Sequence, residues 1–241
     1  MGRITEAIKH LIIINIIFFV APQLLKLDIA QYLALYFPEN DSFSFWQYLT
    51  HMFMHGSFMH IIFNMYALWA FGTPLEQMWG KKKFLFFYFS AGLGAGVIYT
   101  LVNYFQFNGV YEQLINMGVS ASDILNILET GSYNDTIISL SNKEMSEFYS
   151  LYHTPAVGAS GAVYGILVAF GMMYPNAKLA LIFFPVPIAA KYFIPVMLLG
   201  DVFFGVTKYS VGNVAHFAHI GGALIGFVIA WYWKKNQFKM Y

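Results

Sequence analysis

The sequence predicts an all-α, polytopic membrane protein: a bundle of six transmembrane helices in one domain covering residues 1–241. Three observations carry that expectation. The 241 residues are 59% hydrophobic and 10% charged, against roughly 45–50% and about 25% in an average soluble domain. Apolar stretches recur near 8–27, 54–73, 84–105, 159–175, 192–208 and 216–233, each close to the length of about 20 residues that crosses a bilayer core. What remains between them is short, apart from one polar segment at about 106–155, so a large second domain does not fit.

The first stretch has Arg3 and Lys9 ahead of an apolar run at 11–21, the outline of a signal peptide. No small-x-small cleavage site follows it, so it reads as the first span. The second opens on a histidine-rich segment, and the third is preceded by Lys81, Lys82 and Lys83. The segment at about 106–155 then breaks the apolar pattern with Gly109, Gly118, Gly131 and Asn134. Two short amphipathic helices are expected within it, near 111–129 and 142–152, the second capped by Ser141 with Glu144 three residues on. The stretch 179–190 carries Pro185 and Pro187 and is too short to cross, which predicts a surface or re-entrant excursion. The last two spans complete an even number, which puts both termini on one side.

Positive charge sets the orientation. With both termini in the cytoplasm, Arg3, Lys9, Lys81, Lys82, Lys83, Lys178, Lys191, Lys234, Lys235 and Lys239 lie inside, leaving Lys26, Lys143 and Lys208 outside. The net charge of +1 and the absence of a basic patch argue against a nucleic-acid partner. With no cysteine, disulfides, thiolate catalysis and cysteine-based zinc sites are excluded.

Residues suited to chemistry gather at the outer ends of spans two, four and six. Span four opens Gly158-Ala159-Ser160-Gly161, continuing to Tyr164-Gly165. The small residues at four-residue spacing serve helix packing in membranes, and the same segment presents the Ser160 hydroxyl. Span six opens His216-Phe217-Ala218-His219-Ile220-Gly221-Gly222. A histidine at a span edge can be merely interfacial, but inside a bundle an ionisable group is costly and points to function. Paired with an outward serine, an imidazole can take the hydroxyl proton during attack on a carbonyl and return it to the leaving amine. No Asp or Glu stands near either motif on the outer side, so a Ser160–His219 dyad is expected. Asp201, inside the fifth span, reads as a structural hydrogen-bonding group below the dyad.

In span two, His60 and Asn64 are i and i+4 and share a helix face. With the Ser160 backbone N–H they could supply the donors that an oxyanion needs. His51 and His55 also have the i, i+4 spacing of a zinc pair, but the glutamate of a metalloprotease motif is missing, and no metal is expected.

Taken together, the 158–165 segment resembles the GxSG motif of rhomboid intramembrane proteases, 218–222 their last-span histidine motif, and His55 to Asn64 their HxxxxHxxxN stretch. The resemblance covers all six spans and is to the bacterial, six-span type. It implies a serine endopeptidase that cleaves single-pass transmembrane proteins, with Ser160 and His219 catalytic and His60, Asn64 and Ser160 stabilising the oxyanion. Tyr164 would pack beside His219, while His55, Gly158 and Gly161 would support the site. The lipid bilayer is the implied surroundings, a bacterial inner membrane the implied location, and no cofactor is called for. Glu76, near Trp79-Gly80, matches an acidic residue that often stabilises the end of span two in the family.

Two departures stand out. Trp46-Gln47 occupies the place of a common Trp-Arg pair in the first outer loop, and a neutral amide lacks the donor fork of Arg. The outer segment before Ser160 is also long, which makes it either a lid or substrate-selecting surface, or a tolerated insertion. A rival function is a catalytically inactive rhomboid-like protein that binds membrane clients; it would be expected to lack Ser160 or His219. A small transporter would need polar residues along a whole path, and the inner halves of the spans have almost none. Oligomeric state has no signature here.

Overall fold

The computed structural model describes residues 3–134, 137–181, 184–207 and 215–236. Asp135, which falls in the outer segment, and Lys208 and Lys239 of the charge argument lie outside the described residues. Six helices match the expected spans: α1 (Glu6–Leu25), α4 (Phe58–Trp79), α5 (Lys81–Asn116), α8 (Ser160–Met173), α9 (Ala190–Val206) and α10 (His216–Asn236). Between α1 and α4 the first outer loop carries two single-turn helices, α2 (Ala30–Leu33) and α3 (Gln47–Thr50), and a 3-10 turn at His51–Phe53. Helices α6 (Ala121–Thr130) and α7 (Asn142–His153) follow α5. Three of the six, α1, α5 and α10, are each long and apolar enough by length and composition to cross a membrane.

The bundle is built around α8, which packs against α4, α5, α9 and α10. Almost all of α8 is buried, from Gly161 to Phe170 apart from Tyr164, so it is apolar on every face, as a central helix must be. The perimeter helices instead expose apolar side chains such as Ile13 and Ile17 of α1, Val97 and Leu101 of α5, and Val196 and Leu199 of α9. An exposed apolar band of this extent is disfavoured in water and suits contact with lipid.

Helix α8 meets α10 backbone to backbone. A Cβ added at Gly222 would lie 1.9 Å from the Gly161 carbonyl oxygen, and one at Gly226 would lie 2.5 Å from Gly165 Cα. Packing at this separation is possible only between glycines, and it is how membrane helices gain dispersion contact when no hydrophobic force drives them together. The small-residue pattern at Gly161 and Gly165 therefore serves packing while the same segment carries Ser160.

The start of α1 is tied to the end of α4. Glu76 is buried and accepts the backbone N–H groups of Ala7 (2.8 Å) and Ile8 (3.0 Å), and the Thr5 hydroxyl also donates to it. It supplies the acceptors that the first turn of a helix lacks. The N-terminal ends of α4, α8 and α10 consequently face the opposite side, together with the first outer loop.

The outer segment differs from the expectation. Helix α5 does not stop near residue 105 but runs 36 residues to Asn116, about 54 Å at 1.5 Å per residue and so well beyond a hydrocarbon core of about 30 Å. A turn at Gly118 (φ +87°) separates it from α6, so the helix expected over 111–129 is the end of one helix and the start of another. Helix α7 does carry the capping box of Ser141 and Glu144. The three pack around a second apolar core of Phe107, Leu114, Ile124, Leu128, Met145 and Phe148, joined by Phe37 of the first outer loop. The 178–189 stretch is a hairpin, with β1 (Lys178–Leu181) antiparallel to β2 (Phe184–Ala189), pairing Lys178 with Ala189 and Leu181 with Phe184.

Candidate active site

Ser160 is the first residue of α8, and the approach to it is held by the first outer loop. Leu35 and Ala156 form an isolated antiparallel bridge, with N–H···O distances of 2.9 and 2.8 Å. Two residues on, the Gly158 N–H donates to the His51 carbonyl at 2.9 Å. Gly158 has φ +127°, and a Cβ there would lie 2.8 Å from His60 Nε2 and 3.6 Å from Ser160 Oγ. Both the conformation and the space require glycine. His60, in the first turn of α4 after the Ser57 cap (His60 N–H to Ser57 Oγ, 3.2 Å), thus stands across Gly158 from the serine. His55 packs edge-on against His60 with ring centroids 5.0 Å apart.

Gln47 explains how the first outer loop does without an arginine. Its side chain is buried, donates to the Ser42 carbonyl at 2.7 Å and the Tyr32 carbonyl at 3.4 Å, and accepts the Tyr36 N–H at 3.2 Å. An amide offers both a donor and an acceptor, and this loop uses both. Trp46 Nε1 donates to the same Tyr32 carbonyl at 2.9 Å. One turn on, the His51 Nδ1–H donates to the Gln47 carbonyl at 2.8 Å, and burial holds this imidazole down at about 4, below its usual 6.5.

The hydroxyl and imidazole singled out in the sequence lie together. His219 Nε2 and Ser160 Oγ are 3.0 Å apart although 59 residues separate them in the chain. Tyr164, one turn into α8, lies flat on the His219 ring with centroids 4.1 Å apart and planes 12° apart. This stacking leaves the ring few orientations.

The structure corrects the expectation that no acidic residue approaches either motif. Asp201 on α9 is buried, and its Oδ1 lies 3.1 Å from His219 Nδ1 and 2.6 Å from His216 Nδ1. Asp201 therefore touches the histidine rather than lying apart from it. The only signal in the sequence was an isolated carboxylate inside an apolar span, which is costly enough to imply a partner.

Asp201, His216 and His219 bring three metal-ligating groups within 4.8 Å of one another. Donors held about 2.0–2.2 Å from one tetrahedral ion stand roughly 3.4 Å from each other. The 2.6 and 3.1 Å separations to a single oxygen are those of two N–H···O hydrogen bonds.

Ser160, His219, His60, Asn64 and Tyr164 line one cavity of about 1750 Å³. Its walls include Phe71 of α4 and Met197 of α9, and at the outer end Gly109 of α5 and Leu151 of α7. The cap formed by the outer segment and the catalytic candidates thus border one space.

The rhomboid domain family matches residues 42–122 and 128–236. Among curated proteins, the chain is 28% identical over 185 residues to Rhomboid protein 1, mitochondrial, of Saccharomyces cerevisiae, covering 76% of this chain and 40% of that protein. It is 30% identical over 206 residues to the Presenilin-associated rhomboid-like protein, mitochondrial, of Rattus norvegicus (78% and 40%). It is 28% identical over 188 residues to RHOMBOID-like protein 12, mitochondrial, of Arabidopsis thaliana (76% and 44%). The chain spans less than half the length of these relatives. They are mitochondrial proteins of eukaryotes, so the expectation of a bacterial type in a bacterial inner membrane finds no support in them, whereas a multi-pass integral membrane protein does. The family match, covering five of the six expected spans and every motif named above, makes this chain a member of the rhomboid family.

Proposed function

We propose that this chain is an intramembrane serine endopeptidase that hydrolyses peptide bonds of single-pass transmembrane proteins. The observation that carries the reading is the 3.0 Å separation of His219 Nε2 and Ser160 Oγ at the edge of a large cavity. In the first half-reaction Ser160 Oγ attacks the scissile carbonyl carbon as its proton passes to His219 Nε2. The tetrahedral oxyanion collapses, the C–N bond breaks, and the leaving amine takes the proton from Nε2. Water then attacks the acyl-serine, giving a proton to Nε2 that returns to Ser160 Oγ as the ester C–O bond breaks.

The oxyanion forms beside the first turn of α8, where backbone N–H groups lack intrahelical acceptors. The Ser160 N–H, the His60 imidazole and the buried Asn64 amide are its donors in this reading. Gly158 and Gly161 keep the approach narrow, with Tyr164 and His55 supporting the two imidazoles. An open cavity whose wall carries His60, Asn64, Ser160 and His219 gives the hydrolytic water a place inside an apolar bundle.

The test is cleavage of a single-pass substrate by purified protein in detergent or liposomes, comparing wild type with Ser160→Ala and His219→Ala. Both variants should lose at least about 10³-fold in turnover, the scale on which removing a nucleophile or base acts. A wild type that cleaves nothing, and whose Ser160 resists a fluorophosphonate, would leave client binding as the function.

A further inference from the structure

We infer that Asp201 is a positioning residue for His219, making the reacting unit Ser160–His219–Asp201 rather than a dyad. The inference rests on the protease reading above and adds to it the control of one proton.

A carboxylate has no proton and only accepts, so the 3.1 Å contact of Asp201 Oδ1 with His219 Nδ1 places the ring's hydrogen on Nδ1. A neutral imidazole has one N–H, so Nε2 then bears the lone pair. Nε2 is the atom 3.0 Å from Ser160 Oγ. The tautomer that a general base needs is therefore the one this contact selects, and the opposite tautomer would leave Nδ1 facing a carboxylate lone pair to lone pair.

Three further features fit an orienting role. The Asp201 side chain is 7% exposed, in a helix whose neighbouring residues are apolar, and such a carboxylate is expelled from a membrane bundle unless partners compensate it. Its partners come from a different element, His216 and His219 of α10. Asp201 thereby fixes α9 and α10 to each other at the level of the reacting atoms. The 2.6 Å bond from His216 holds the carboxylate oxygen in place, and the Tyr164 ring on the face of His219 blocks the ring flip that would put Cδ2 in the place of Nδ1 and turn both nitrogens away from their partners. Asp201 takes no proton in the cycle: the proton moves from Ser160 Oγ to His219 Nε2 and on to the leaving amine, while the carboxylate faces the positive charge that develops on the ring.

The test uses the full chain. Asp201→Asn should lower kcat on a transmembrane substrate by about 10²–10⁴-fold, because an amide can hold either tautomer, with KM within about threefold of wild type. The rate of fluorophosphonate labelling at Ser160 should fall in parallel. In wild-type protein labelled with ¹⁵N-histidine, His219 should give the spectrum of an Nδ1–H, unprotonated-Nε2 ring. This measurement decides the matter even where the variant does not fold. A predominantly Nε2–H ring, or an Asp201→Asn enzyme that keeps kcat within about threefold while Ser160→Ala is dead, overturns the positioning role and leaves the protease reading intact. A wild type that neither cleaves nor labels overturns the protease reading and this inference with it.

Discussion

At His51 environment and chemistry are at odds. Burial against the first outer loop lowers its affinity for protons to about 4, an effect larger than the opposing backbone contacts of Gln47 and Tyr48. In the unfolded chain the ring titrates near its ordinary 6.5. Between those values the unfolded state binds a proton that the folded state refuses, so stability falls as pH drops from about 6.5 towards 4 and changes no further below that. Thermal unfolding in detergent at pH 7.5 and pH 5 should show a drop for wild type that His51→Gln reduces, and an equal drop in both would assign the sensitivity elsewhere. The sequence marked Ser160, His60 and His219 because each stands at the end of an apolar run, where a polar group is conspicuous. It did not reveal the contact of Asp201 with His219, because 18 residues of chain and a change of helix separate them, and only the crossing of α9 on α10 brings the two together. Gln47 was legible as a departure but not as a solution, since the Tyr36 N–H and the Ser42 carbonyl that it binds belong to loop backbone that has no periodic signal.

Among the elements, the start of α1 is tied to the end of α4 by one buried carboxylate. Glu76 accepts from Thr5, Ala7 and Ile8, so Glu76→Ala leaves buried donors unmet, each unmet group costing about 1–3 kcal/mol. Glu76→Ala should lower the midpoint of thermal unfolding by several degrees, with Glu76→Gln intermediate because it retains one acceptor; a midpoint equal to wild type would mean that solvent replaces the carboxylate without loss. The neighbouring Lys81–Glu6 pair is exposed on both sides and adds little. Helix positions were well marked by hydropathy, but the end of α5 was not, because the helix continues through Gln106, Asn108 and Glu112 after its apolar run has ended. Beyond the bilayer a helix needs only one apolar face, and Phe107, Leu114 and their partners in α6 and α7 supply it. The hairpin at 178–189 was missed for a related reason: with Pro185 and Pro187 the stretch reads as broken, although proline is tolerated at strand edges.

Over the whole molecule, the bundle and the cap meet at the cavity, and that meeting separates two readings of the outer segment. A tolerated insertion would leave substrate handling alone, whereas a substrate-selecting surface would border the path to Ser160. Gly109 lies on α5 at the outer end of the cavity, is exposed, and has nothing within 4 Å of where a Cβ would stand. A large side chain can therefore be introduced there without displacing the fold, and replacing glycine inside a helix is favourable in itself. Gly109→Trp should reduce kcat/KM on a transmembrane substrate by about tenfold, the equivalent of about 1.4 kcal/mol of transition-state binding. Labelling of Ser160 by a small fluorophosphonate should proceed at the wild-type rate, because the probe does not need the outer part of the cavity. Loss of both activities would indicate disturbed packing. Retention of both would make the cap a bystander, and its own apolar core would then serve only to keep a long insertion folded beside the membrane.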